Sequence, residues 1–187
     1  MVNQSKPTVA IFGGSFDPPH KGHQQIVENA IKNLEIDKLL VVPAYLNPFK
    51  TSSLASASKR LEWCRILFSN SNKIIVDDYE IRQGKSTTTS QTVKHFSMIY
   101  HVKYLIIGAD NLASLSQWHE FETLNAQVTW VIMTREGYDL DVNDLQNWKV
   151  LTLNTPISST KIRKEHDTSH VDTQIEKSVK KTLKDNS

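Results

Sequence analysis

Short apolar runs alternate with longer amphipathic ones along the chain. The runs Thr8–Phe12, Lys38–Pro43, Lys73–Val76, Lys103–Ile107, Val128–Met133 and Lys149–Leu153 are mostly rich in Val and Ile. Such runs read as strands covered on both faces. Between them lie stretches with helical spacing: Gln24–Leu34, Ala57–Ser69, Ser90–Tyr100 and a shorter Asn111–Leu124 region. In the second, Leu61, Cys64, Ile66, Leu67 and Phe68 form one broad apolar side. Alternating strands and helices predict an α/β fold, a doubly wound, mainly parallel sheet with helices on both faces. The charged tail His166–Ser187 carries Val171, Ile175, Val179 and Leu183 four apart, which predicts a terminal helix over about 171–184.

Length and composition narrow the class. At 187 residues the chain is read as a single domain able to bury a core, with its body over about 8–165. A formal net charge of +2 gives no long-range attraction to nucleic acid, so none is expected as a partner. The N-terminus lacks a charged-then-apolar signal pattern and no apolar run approaches membrane-spanning length, which makes the expected location cytoplasmic, away from membranes. The one cysteine, Cys64, excludes an internal disulfide and reads as a buried thiol. No self-complementary surface is evident, so a homodimer is left open.

In doubly wound sheets ligands sit beyond the carboxyl ends of the strands, which directs attention to the loops there. The first is Gly13-Gly14-Ser15-Phe16-Asp17-Pro18-Pro19-His20-Lys21-Gly22-His23. A glycine turn between a strand and a helix lets the backbone approach a phosphate, and free N–H groups at a helix start face an anion. His20 and His23, three residues apart, fall on one side of a first helical turn. The spacing is neither G-x-G-x-x-G nor that of a P-loop. Near the other end stands Ile157-Ser158-Ser159-Thr160-Lys161-Ile162-Arg163. Ser158 can cap a helix there, the hydroxyls can meet an anion, and Arg163 lies one turn beyond Thr160. Alone, each stretch also reads as an ordinary helix start.

Together the two motifs resemble those of the (H/T)xGH nucleotidylyltransferase superfamily, and the resemblance runs from about Val9 to Arg163. It implies a Rossmann-like nucleotidylyltransferase fold. It also implies a reaction in which an acceptor phosphate attacks the α-phosphorus of a nucleoside triphosphate and releases pyrophosphate. By that likeness Gly13, Gly14, Ser15 and Phe16 line the ATP site. His20 and His23 bind the triphosphate and stabilise the transition state, and Ser158, Thr160 and Arg163 hold the β- and γ-phosphates. Such chemistry rests on positioning and charge neutralisation rather than on a nucleophilic side chain. Mg²⁺ is implied as a passenger on the ATP phosphates, with no metal held by the protein itself.

Four further stretches resemble those of the nicotinate-mononucleotide adenylyltransferases. Gly108-Ala109-Asp110 followed by Trp118 is similar to their G-x-D…W pattern, which implies Gly108 and Asp110 at the adenosine and Trp118 stacked on the pyridine ring. Taken without the family, Trp118 reads as a core tryptophan, like Trp63 or Trp130. Thr87–Thr92 falls where the family has an S-Y-T-x-x-T-like loop, which implies Thr88 and Thr89 at the mononucleotide, with Thr88 in place of the tyrosine. Thr134–Tyr138 resembles R-P-G-Y, with Arg135 near the adenine and Glu136 replacing proline. Pro43–Lys50 corresponds to a P-x-x-x-P-(H)-(K/R) loop, in which Lys50, together with Ser15, would meet the mononucleotide phosphate. There Phe49 replaces histidine, and Ala44 stands where some members carry asparagine. Past Arg163 the likeness fades. The implied substrates are ATP and nicotinate mononucleotide, giving deamido-NAD and pyrophosphate. The amide mononucleotide, pantetheine phosphate and a non-catalytic nucleotide-binding regulator stay open as alternatives.

Overall fold

The computed structural model describes residues 5–134, 140–153 and 158–186. Six strands form one sheet in the order β3-β2-β1-β4-β5-β6. They are β1 (Thr8–Gly14), β2 (Lys38–Pro43), β3 (Ile74–Val76), β4 (His101–Gly108), β5 (Thr129–Thr134) and β6 (Trp148–Thr152). Every neighbouring pair is parallel. The order reverses direction between β1 and β4, which opens a crevice at their carboxyl ends.

The helices are α1 (Lys21–Asn33), α2 (Ala57–Phe68), α3 (Tyr79–Arg82), α4 (Thr89–Ser97), α5 (Phe121–Gln127), α6 (Ser159–Glu165) and α7 (Thr173–Asp185). Alternate strand residues feed two cores. Ala10, Phe12, Val41 and Ile106 pack with Val27 of α1, Trp63 of α2 and Val179 of α7. Val9, Ile11, Val42 and Ile107 pack on the opposite face with Phe96 of α4 and Leu124 of α5. Two buried faces explain why the strand runs are continuously apolar rather than alternating. The tail helix is fixed by Ile175, Val179 and Leu183 and by the Trp63 indole donating to Ser178 Oγ at 3.0 Å.

The structure corrects several expected boundaries. Gly13 and Gly14 belong to β1, paired with Val42 and Pro43, so the turn begins only at Ser15. Its left-handed residue is Phe16, at φ 48°, not a glycine. On α2 the buried residues are Arg60, Leu61, Trp63, Cys64, Leu67 and Phe68, whereas Ile66 is 40% exposed. That set repeats at i, i+1, i+3, i+4, i+7 and i+8, the stripe of a helix with one buried face, and Ile66 falls off it. The Asn111–Leu124 region is two elements, a 3₁₀ segment Ala109–Gln117 and α5, broken where Glu120 turns left-handed at φ 56°. The short α3 was not expected.

Candidate active site

Four segments meet at the β1–β4 crevice. The first is the turn Ser15–Pro19 with the start of α1. Glycine at position 14 leaves room for the Phe16 ring, which a Cβ there would press at 3.2 Å. Phe16 is buried, edge-on to Phe12 at 5.3 Å and 4.9 Å from the His23 ring. It thereby backs the imidazole. His20 is the N-cap of α1: its Nδ1 accepts from the Gly22 N–H at 3.2 Å, while His23 Nδ1 accepts from the His20 N–H at 3.2 Å. This reciprocal cap places the two rings 3.9 Å apart, on the side expected from their spacing.

The cap also fixes the chemistry of the rings. A neutral imidazole whose Nδ1 accepts carries its proton on Nε2, so both rings offer an Nε2–H as donor. Burial, aided by the charge of His170, pulls His20 from the ordinary imidazole value down to about 4. Burial and the adjacent His20 hold His23 well below 6.5. At neutral pH the pair is an uncharged double donor.

The second segment is α6. Ser158 caps it by accepting from the Lys161 N–H at 3.2 Å. Ser159 Oγ donates to the Pro18 carbonyl at 2.9 Å, and the Arg163 guanidinium donates to the Asp17 carbonyl and, at 3.2 Å, to Thr160 Oγ1. The two motifs, far apart in sequence, are thus joined directly. Asp17 is buried, its carboxylate accepting from the Leu54 N–H at 2.8 Å and the Ala55 N–H at 2.9 Å.

The third segment follows β2. Ala44 N–H donates to the Gly14 carbonyl at 2.9 Å, and Lys50 Nζ lies 3.4 Å from Ser15 Oγ. Burial, then the cation of Arg163, lowers the Lys50 pKa. Lys50 and Arg163 therefore share one electrostatic neighbourhood.

The fourth follows β4. Gly108 ends the strand, and a Cβ there would collide with the Asp110 carboxylate, so glycine lets Asp110 fold back over the strand end. Asn111 Nδ2 donates to the Gly108 carbonyl at 3.1 Å and to Asp110 Oδ1 at 3.3 Å. Trp118 closes the 3₁₀ segment, half-buried and edge-on to Trp130 at 6.2 Å, with its indole N–H unpartnered among the described residues. Thr88 caps α4 by accepting from the Gln91 N–H at 3.4 Å, and Thr89 opens that helix. Thr88 Oγ1 lies 3.0 Å from Ser90 Oγ, which lies 3.1 Å from His119 Nδ1, so a hydroxyl relay ties the α4 start to the residue after Trp118.

Arg135 and Ile157 lie outside the described residues. The cytidylyltransferase-like family matches residues 11–165. A protein of Sulfurovum described as a "Probable nicotinate-nucleotide adenylyltransferase" is 62% identical over 185 residues, covering 99% of this chain and 98% of that one. This chain belongs to the nicotinate-nucleotide adenylyltransferase family. A Campylobacter fetus protein of the same description is 43% identical, covering 95% of this chain and 97% of its own. The fold is that of the Plasmodium falciparum nicotinic acid mononucleotide adenylyltransferase complexed with NaAD, at a TM-score of 0.74 and 22% identity, covering 96% of this chain and 95% of that one.

Against this family frame, the sequence pattern left some residues of the site unremarked. Arg60 is 1% exposed and donates to carbonyls on both the β1 and β2 loops. The signal was there: it stands on the apolar stripe with Leu61, Cys64 and Leu67. Ser159, noted only as a hydroxyl, is what docks α6 on the turn.

Proposed function

We propose that this chain transfers the AMP moiety of ATP to nicotinate mononucleotide, forming deamido-NAD and pyrophosphate in NAD biosynthesis. The observation that carries the mechanism is the reciprocal cap of His20 and His23, which leaves two Nε2–H donors at the helix start whose preceding turn the Arg163 guanidinium grips at the Asp17 carbonyl. A phosphate oxygen of the mononucleotide attacks the α-phosphorus in line. The bond from the α-phosphorus to the bridging oxygen breaks, and pyrophosphate leaves with that electron pair.

A phosphate monoester is already largely anionic at neutral pH, so the attacking oxygen needs no general base. Neutral rings with depressed pKa values suit that requirement: they donate to phosphate oxygens and do not compete for the proton. Donors fixed before the reaction are the main source of acceleration in such transfers. Cys64 offers no nucleophile, since it is buried and burial pushes its thiol up.

In this reading Gly13, Gly14, Ser15 and Phe16 form the floor under the triphosphate, and Ser158, Thr160 and Arg163 take its β- and γ-phosphates. Lys50 and Ser15 receive the mononucleotide phosphate, while Gly108 and Asp110 meet the adenosine. Trp118, Thr88 and Thr89 hold the pyridine ring, and Arg135 is assigned to the adenine by family likeness. Among the described residues no group of three or more His, Cys, Asp or Glu could hold a metal ion, and both Asp17 oxygens accept from backbone amides. A divalent ion, Mg²⁺ in this proposal, comes as part of the ATP substrate.

The test is incubation with ATP, Mg²⁺ and, in turn, nicotinate mononucleotide, nicotinamide mononucleotide and pantetheine phosphate, following pyrophosphate. Release with the acid mononucleotide above the other two supports the reading. No release with any acceptor, or preference for the amide, overturns it.

A further inference from the structure

Arg60 is a buried cation solvated by the backbones of two loops. Its Nε donates to the Ala55 carbonyl at 3.2 Å, its Nη1 to the Ser15 and Ala44 carbonyls at 2.7 Å each, and its Nη2 to the Tyr45 carbonyl at 2.6 Å. Ser15 follows β1, whereas Ala44 and Tyr45 follow β2, so one planar fork joins the ends of adjacent strands. A charge this deep is costly unless such partners and an opposite charge offset it. The opposite charge is Asp17, which attracts Arg60 without a direct hydrogen bond or ion pair between them. Asp17 reaches the other way, from the β1 turn to the Leu54 and Ala55 N–H groups ahead of α2. The two side chains form a reciprocal brace.

The brace controls a specific distance. Lys50 and Ser15, 3.4 Å apart, sit on the two loops that Arg60 joins. The α6 side of the triphosphate site hangs on other bonds, from Ser159 to Pro18 and from Arg163 to the Asp17 carbonyl. We infer that Arg60 is a positioning residue for the phosphate-bearing acceptor: it sets the Ser15–Lys50 spacing and so governs mononucleotide affinity more strongly than ATP affinity. The inference rests on the adenylyl-transfer reading.

Lysine at this position keeps the charge but cannot present donors in the fork geometry that reaches four carbonyls. Arg60→Lys therefore separates positioning from charge, because the Arg60 charge also acts on Lys50. The experiment measures KM for nicotinate mononucleotide and for ATP, kcat, Kd for each nucleotide by calorimetry and the thermal midpoint, in wild type, Arg60→Lys and Arg60→Gln. Displaced groups cost roughly 10-fold to 100-fold, so both variants are expected to raise mononucleotide KM and Kd by about that factor, with a smaller rise in ATP KM because Ser15, whose carbonyl Arg60 holds, also borders the triphosphate. Equal changes in both substrates, or full rescue by lysine, overturn the inference while leaving the reaction intact. Loss of the folded circular dichroism signal in both variants also overturns it, assigning Arg60 to global stability. A wild-type chain that binds neither nucleotide overturns the adenylyl-transfer reading, and the inference with it.

Discussion

Arg163 donates to the backbone carbonyl of Asp17, a bond spanning 146 residues of sequence that joins α6 to the turn before α1. Its second guanidinium nitrogen reaches Thr160 Oγ1 at 3.2 Å. The fork is thus aimed by the same turn that carries the two histidines. Arg163→Lys keeps a cation but loses the two-sided geometry, so kcat/KM for ATP is expected to fall roughly 10-fold or more. Steady-state kinetics on the folded variant check this, and an unchanged value would remove the fork from triphosphate binding.

His23→Ala removes a donor and a cap together. Loss of one preorganised donor costs on the order of 10²–10³ in kcat. Loss of the cap costs about 1 kcal/mol of stability, because the His20 N–H loses its acceptor. The two effects are read separately, by single-turnover kinetics and by denaturant melts. A near-normal rate would exclude His23 from the chemistry.

Trp118 makes an edge contact with Trp130 and so has a structural role as well as the proposed stacking role. Trp118→Ala is expected to raise the mononucleotide KM more than the ATP KM. Equal effects on both would assign it to the core alone.

Stability should respond to pH through two buried groups of opposite sign. His20 drops from 6.5 in the unfolded chain to about 4 in the folded one. The unfolded state therefore binds more protons between those values, and the contribution of about 3 kcal/mol, complete above pH 6.5, is lost as pH falls to 4. Glu80 is raised by burial from 4.5 to about 7, against the lowering effect of the hydrogen bond it accepts from Thr92 Oγ1 at 2.6 Å. It stays protonated when folded, so its contribution is present at low pH and lost as pH rises from 4.5 to 7. Relative to wild type, the change in thermal midpoint from pH 5 to 7 should move in the positive direction in Glu80→Gln and in the negative direction in His20→Asn. Parallel profiles in all three proteins would contradict the assignment.

Much of this site was legible before the structure because its chemistry is concentrated in short runs. Ser15–His23 and Ser158–Arg163 carry residue types whose local geometry follows from helix starts, and the pairing of the histidines follows from a three-residue spacing. What spacing does not convey is which loop a buried charge reaches. Asp17 reads as a turn residue, and Arg60, though on the apolar stripe of α2, has no assigned partner until folding brings the β1 and β2 ends together. Likewise the glycines read as the turn, whereas the sheet register extends through them and leaves the left-handed position to Phe16. Ile66 read as core because apolarity was counted without its angle on α2.

The most direct measurement follows the α-phosphorus itself. Reaction of ATP labelled at the α-phosphate with nicotinate mononucleotide should place the label in deamido-NAD, and ATP made chiral at that phosphorus should react with inversion. Label confined to AMP or to unreacted ATP would contradict transfer to the mononucleotide. Retention of configuration would contradict a single in-line displacement with His20 and His23 as donors.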